Sequence, residues 1–198
     1  MSHNVQLVLK NILDFVFSLI LFILLLPVYL VISLLIKLED SGPVIFSQER
    51  LGKDGKVFRI LKFRSMVVYS EKMKGGIFIT EEDSRITKIG KVLRKTSLDE
   101  IPQLINIIKG DMSFIGPRPP LTYYPKKYEE YEDWVKVRFR VKPGITGLAQ
   151  VNGRNSIEWY DRFEYDTEYV KKWSLAFDFK ILIDTVKTVF KGKGIYSK

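Results

Sequence analysis

Hydrophobic and polar positions divide the chain into one long uncharged run and then a series of shorter strand-like and helical patterns. Between Asp14 and Lys37, FVFSLILFILLLPVYLVISLLI carries no charge over 22 residues. A helix rising about 1.5 Å per residue would make this roughly 33 Å, near the thickness of a bilayer's hydrocarbon core. The run is too long for the apolar part of a secretory signal, and no small-residue cleavage site follows it. Pro27 falls near its middle and lacks the amide that would bond the Ile23 carbonyl. Two membrane arrangements fit: a kinked spanning helix, and a helix–break–helix that leaves by the face it entered. Downstream, VIFSQERL and VFRILKFRSM flank GKDGK, where Asp54-Gly55 favours the tight turn of a β-hairpin. Ile86, Ile89 and Leu93 then recur at helical spacing among Arg85, Lys88, Lys91, Arg94 and Lys95. That pattern suits a solvated basic face over a packed core, and equally a helix lying in a membrane interface.

Leu98, Ile101, Leu104, Ile105 and Ile108 predict a second amphipathic helix, closed by Gly110. Pro102 costs least in a first turn, so this helix should start between Ser97 and Asp99, with Ser97 and Glu100 forming a capping box. Two further helices are predicted over 157–172 and 176–191. The last has an apolar face of Phe179, Leu182, Ile183, Val186, Val189 and Phe190. The expected fold class is α+β, mainly helical, without internal repeats.

Composition narrows the chemistry. A length of 198 residues suits one domain with an appendage, and the chain has no cysteine. Disulfides, thiolate nucleophiles and cysteine zinc sites are therefore excluded. The only histidine is His3, in what reads as a loose N-terminus, so a bound metal would be a hard cation held by oxygen. Residues 1–36 hold only Lys10 and Asp14 as charges, so the rest of the chain carries the whole net charge of +9. This implies an anionic partner: a membrane surface, a nucleic acid or a phosphorylated small molecule. By the positive-inside rule, the basic part following the apolar run lies in the cytoplasm.

Three short stretches are candidates for chemistry. TSLDEIPQL sets Asp99 beside Glu100. Acids in a helix's first turn stabilise it by about 0.3–1 kcal/mol each. Alternatively, Arg94 and Lys95 one turn earlier would depress both pKa values, as suits a nucleophile or metal ligand. In SFIGPRPPL, Pro117 and Pro119 hold Arg118 extended, pre-ordering a guanidinium fork for phosphate; the alternative is a proline-rich connector. KFRSM offers Lys62 and Arg64 on one side of a strand, either for phosphate or to guard a sheet edge. The glycine-rich loop KPGITGLAQVNGRN matches no nucleotide-binding pattern, although its amides could cradle phosphate.

The order of these pieces, from a proline-broken apolar N-terminus through KFRSM, SLDEIPQL, GDMSFIGPRP and KPGITGLAQVNGRN, resembles the bacterial sugar transferases. More narrowly it is similar to the small monotopic phosphoglycosyl transferases, and the likeness runs from about residue 5 to about 190. The resemblance implies transfer of a sugar 1-phosphate from a UDP-sugar to polyprenyl (undecaprenyl) phosphate with release of UMP, the first membrane step of glycan assembly. It implies that Asp99 and Glu100 are the catalytic dyad and that Asp99 forms an aspartyl–phosphosugar intermediate. A magnesium ion (Mg2+) would be bound through Asp99 with Glu100 assisting. Lys62, Arg64, Arg94 and Arg118 are the expected phosphate contacts. It further implies that residues 1–37 form a re-entrant membrane helix broken at Pro27, although Leu26 stands where relatives carry a small or polar residue. Residues 38–198 would be a catalytic domain with interfacial helices on the cytoplasmic face of the bacterial inner membrane. Expected partners are membrane lipids and downstream glycosyltransferases, with no nucleic acid. The competing reading is a non-catalytic, membrane-anchored basic module that binds anionic lipid or nucleic acid. It explains the charge but neither the acid pair nor GPRP.

Overall fold

In the computed structural model, which describes residues 2–73, 80, 82–153 and 157–191, the apolar run lies in two helices. Helix α1 (His3–Leu24) and helix α2 (Leu26–Glu39) are separated at Leu25, where φ is −90° and ψ is 1°. Pro27 sits in the first turn of α2, where its missing amide leaves no bond unmade. By length and composition α1 is apolar enough to cross a membrane, with a mean hydropathy of 2.3. It begins well before the uncharged run, and His3 is not loose: its ring stands edge-on to Trp173, centroids 5.1 Å apart. Three polar residues of α1, Lys10, Asp14 and Ser18, are turned from solvent, Asp14 and Ser18 being buried. Lys10 Nζ donates to Asp178 Oδ2 at 2.6 Å, and Asp14 Oδ1 accepts the Phe114 amide at 3.3 Å.

Strands β1 (Ile45–Leu51) and β2 (Val57–Phe63) form the expected antiparallel hairpin, registered from Ile45 opposite Phe63 to Leu51 opposite Val57. At its turn Asp54 and Gly55 both have positive φ, 55° and 74°, a conformation Asn/Asp-Gly pairs adopt readily. Helix α3 (Lys88–Thr96) is capped twice. Thr87 Oγ1 accepts the Gly90 amide, and Glu39, at the end of α2, accepts the amides of Lys88 and Ile89 at 2.6 and 3.0 Å. Leu93 packs with Ile32, Ile36 and Phe63, so the basic helix is joined to the second half of the apolar run.

Helix α4 (Gln103–Lys109) ends at Gly110, whose φ of 85° lets the chain turn away. Leu104 and Ile107 pack on Ile60 and Met112, with Phe22 and Leu25 closing the cluster from the apolar helices. Asn106 clamps the hairpin, accepting the Leu61 amide at 3.0 Å and donating to the Arg59 carbonyl at 2.8 Å.

The remaining elements are β3 (Ser113–Ile115), α5 (Asp133–Lys136), β4 (Gly144–Thr146), α6 (Leu148–Gly153), α7 (Trp159–Lys172) and α8 (Leu175–Lys191). The glycine-rich segment is therefore a strand and a helix rather than a loop; Arg154 and Asn155 lie outside the described residues. Strand β4 pairs in parallel with β3, Ser113 opposite Gly144 and Ile115 opposite Thr146. At Gly116, Gly144 and Gly147 the main chains approach so closely that an added Cβ would strike the opposing backbone. These glycines serve close packing. In α8 the buried side runs through Asp178 and Ile181, whereas Phe179, Leu182, Ile183 and Val186 are exposed. The apolar face read from the sequence points outward, joining the exposed apolar residues of α1 and α2 as surface; the Val189 and Phe190 side chains lie outside the description.

Candidate active site

Ser97 adopts a left-handed conformation (φ 58°) that stops α3, and Leu98–Glu100 form a separate 3-10 turn before α4. The acid pair therefore lies in a corner between two helices rather than in the first turn of α4. The expected capping box does not form: Ser97 makes no side-chain cap, and Glu100 is drawn away by a cation from β2. Lys62 Nζ lies 2.6 Å from Glu100 Oε1, and Arg118 Nη1 lies 3.5 Å from the same oxygen. Asp99 is 8% exposed. No described residue hydrogen-bonds or ion-pairs with its carboxylate.

Both acids border a pocket of about 380 Å³, with Lys62, Arg94 and Arg118 on its walls and Leu21 and Leu25 of the apolar helices closing one side. Arg94 also donates from Nε to Ser65 Oγ at 2.9 Å. Arg64 is elsewhere. One residue past β2, it is buried against the end of α2, donating to Asp40 Oδ2 and to the Asp40 carbonyl, each at 3.0 Å. The structure thus brings together Asp99, Glu100, Lys62, Arg94 and Arg118, and gives Arg64 a tie between the hairpin and α2.

The two acids differ electrostatically, although sequence reasoning expected both to be depressed. Burial pushes Asp99 above the usual carboxylate range, and attraction from Lys62, Arg94 and Arg118 only partly offsets this. For Glu100 burial also acts upward, but Lys62 and Arg118 more than reverse it and hold the group at about 2. Contact decides the difference. Glu100 touches both cations, whereas Asp99 is desolvated without touching either.

Sequence reasoning missed Arg138 and Asp166, which border the same pocket with Trp159 and Arg162. Arg138 Nε and Nη2 donate to Asp166 Oδ2 at 3.0 and 2.7 Å, and both residues are 2% exposed. Arg138 sits in the basic stretch VKVRFRV and Asp166 in a helical pattern; neither carries a local sign of the other. Arg162 lies over the Trp159 ring, 4.9 Å from its centroid.

The described residues contain no group of three or more acidic or histidine side chains able to hold a metal. The unengaged Asp99 carboxylate beside Glu100 nonetheless suits magnesium. That ion commonly takes one or two protein carboxylates and completes its shell with phosphate oxygens and water.

The sequence profile of the family described as bacterial sugar transferase matches residues 5–192. The chain is 43% identical over 198 residues to the UDP-glucose:undecaprenyl-phosphate glucose-1-phosphate transferase of Escherichia coli, covering 98% of this chain and 42% of that protein. It is 47% identical over 167 residues to the galactosyl transferase CpsE of Streptococcus agalactiae, covering 79% of this chain and 36% of CpsE. Against the exopolysaccharide production protein ExoY of Sinorhizobium fredii identity is 35%, over 94% of this chain and 88% of ExoY. The chain thus spans about two fifths of the first two relatives and most of ExoY.

Proposed function

The chain belongs to the bacterial sugar transferase family, and from that membership we propose that it transfers a sugar 1-phosphate from a UDP-sugar to polyprenyl phosphate at a membrane surface. The observation that carries the reading is the split dyad: a buried, unengaged Asp99 carboxylate beside a Glu100 locked to two cations, in a pocket walled partly by an apolar helix. In the first step an Asp99 oxygen attacks the β-phosphorus of the UDP-sugar. The Asp–O–P bond forms as the bond to the bridging oxygen breaks, and UMP leaves with the electron pair. In the second step a phosphate oxygen of the lipid attacks the same phosphorus and expels the Asp99 carboxylate. A covalent relay lets a water-soluble donor and a membrane-bound acceptor use one site in turn.

Lys62, Arg94 and Arg118 line the path of the phosphates and offset their charge. Glu100, held ionised by Lys62 and Arg118, orients those two cations instead of shuttling a proton. Magnesium, when bound through Asp99 with Glu100 assisting, supplies further charge neutralisation at the phosphates. The exposed apolar surfaces of α1, α2 and α8 lie in the membrane, and the break at Leu25–Pro27 returns the chain to the cytoplasmic face. In this arrangement the dyad lies at headgroup level, where a lipid phosphate is found.

The test is to incubate detergent-solubilised protein with magnesium and a panel of UDP-sugars labelled at the β-phosphorus. With undecaprenyl phosphate present, UMP release should be continuous. Without acceptor, UMP should appear in an amount no greater than the enzyme, and the label should stay on the protein. Continuous release with no labelled protein under any condition would exclude the covalent relay.

A further inference from the structure

The proline-rich segment that carries Arg118 is held by its carbonyl oxygens. Pro117, Pro119 and Pro120 have no amide to donate, so the segment can be fastened almost only through acceptors. All four are occupied. The Gly144 amide reaches the Pro117 carbonyl at 3.0 Å, and the Leu51 amide reaches that of Pro120 at 3.0 Å. Between them, Arg138 Nη2 donates to the Arg118 carbonyl at 2.7 Å, and Arg50 Nη1 donates to the Pro119 carbonyl at 3.1 Å.

The two outer bonds are ordinary main-chain pairing. The two inner ones are made by arginines brought from distant elements, and they grip the residue whose fork reaches Glu100. Arg138 has little freedom. Asp166 holds its Nε and Nη2, and its guanidinium carbon lies 5.1 Å from the Phe139 ring centroid and 5.4 Å from that of Phe163. A buried ion pair is weak evidence for stability, because apolar side chains of similar volume often do as well. Here Arg138 Nη1 and Asp166 Oδ1 are buried with no hydrogen-bond partner among the described residues. Arg138 Nη2 is shared between Asp166 and the Arg118 carbonyl, 2.7 Å from each.

We propose that Arg138, locked by Asp166, and Arg50 are positioning residues that fix the Arg118 backbone so that its guanidinium meets the donor's phosphates beside Glu100. The proposal rests on the transfer reading given above. Misplacing a catalytic contact by about an ångström can cost on the order of 100-fold in rate, which is the loss these two arginines prevent.

The experiment is a double-mutant cycle on the full chain in detergent, comparing wild type, Arg118→Ala, Arg138→Gln and the double variant. Two quantities are read: kcat/KM for UMP release with UDP-glucose or UDP-galactose, and the Kd for UDP. Arg138→Gln should lower kcat/KM by about 10–100-fold and weaken UDP binding. In the Arg118→Ala background the same change should add less than about twofold, because its target is gone. Arg138→Lys, which keeps a charge for Asp166 and a donor for the carbonyl, should recover part of the loss. Should Arg138→Gln fail to fold, Arg50→Met carries the test, since Arg50 bonds neutral partners and its removal strands no charge. A full multiplicative loss in the double variant, or no change beyond about twofold in either single variant, would overturn the proposal. Wild type that binds UDP but releases no UMP from any of the UDP-sugar panel would sink the transfer reading, and the UDP cycle would still decide the positioning. Wild type that does not bind UDP would sink both.

Discussion

Asp99 and Glu100 are neighbours of nearly the same chemistry, and their surroundings shift them in opposite directions. Because burial raises Asp99 in the folded chain, the fold holds a proton there more readily than the unfolded chain does. That contribution to stability is present at low pH and is lost as pH rises through the folded value. Asp99→Asn, which never ionises, should therefore abolish turnover yet unfold at a higher temperature than wild type at pH 7 in EDTA, with the advantage vanishing towards pH 4. Thermal scans at the two pH values check the sign, and retention of more than a small fraction of activity would exclude Asp99 as nucleophile. Glu100 runs the other way. Its depressed value of about 2 means that its contribution is lost only as pH falls through that range. Arg118→Lys should cost about 1.5–3 kcal/mol in kcat/KM, the scale of a charge-assisted hydrogen bond, since a point charge replaces a planar fork. Kinetics equal to wild type would make Arg118 a bystander.

The elements are joined by side chains at their ends. Glu39 closes α2 and caps the first amides of α3, so Glu39→Ala should lower stability by about 1 kcal/mol, as loss of an exposed helix cap does. A denaturant midpoint unchanged from wild type would show that Thr87 suffices as the cap. Elements marked by local signals were legible in the sequence: the Asp54-Gly55 hairpin, the basic helix and the helix closed by Gly110. What escaped depends on long-range neighbours. The turn holding the dyad requires Ser97 in a left-handed conformation, which no residue type there announces. The Arg64–Asp40 and Arg138–Asp166 partnerships span 24 and 28 residues, and nothing in periodicity couples such positions. Helical spacing also revealed that α8 has an apolar face, but not which neighbour it meets. In the folded chain Phe179, Leu182, Ile183 and Val186 of that face are exposed. Within the pocket, Lys62, Asp99, Glu100 and Arg118 were legible because each lies in an unusual short string, whereas Arg138 lies in an ordinary basic stretch and Arg162 in an ordinary acidic helical one.

Across the whole molecule, exposed apolar surface gathers on α1, α2 and α8, while the dyad sits where the apolar helices meet the basic domain. If the chain returns at Pro27, single cysteines placed at Ser2 and at Asp54 lie on one side of the membrane, and no native cysteine confuses the labelling. In intact spheroplasts an impermeant maleimide should reach neither position, and after permeabilisation it should reach both. Labelling at position 2 alone in intact cells would instead show a spanning helix.

The apolar helices also furnish part of the candidate active-site pocket, and this bears on how the protein can be handled. Leu21 and Leu25 line the pocket, Tyr29 donates to the Ile101 carbonyl beside the dyad, and Lys10 supplies the counter-charge for Asp178. A version trimmed before residue 40 to improve solubility would not be the same catalyst released from its tether. It would have an open-sided pocket, and among the described residues Asp178 would retain Tyr169 and Trp173 as side-chain donors. For the intact chain the same contacts make the solubilising agent a participant. If the proposed lipid acceptor enters past Leu21 and Leu25, a detergent tail lodged there competes with it, and measured affinity for that acceptor will vary with micelle composition as well as with sequence.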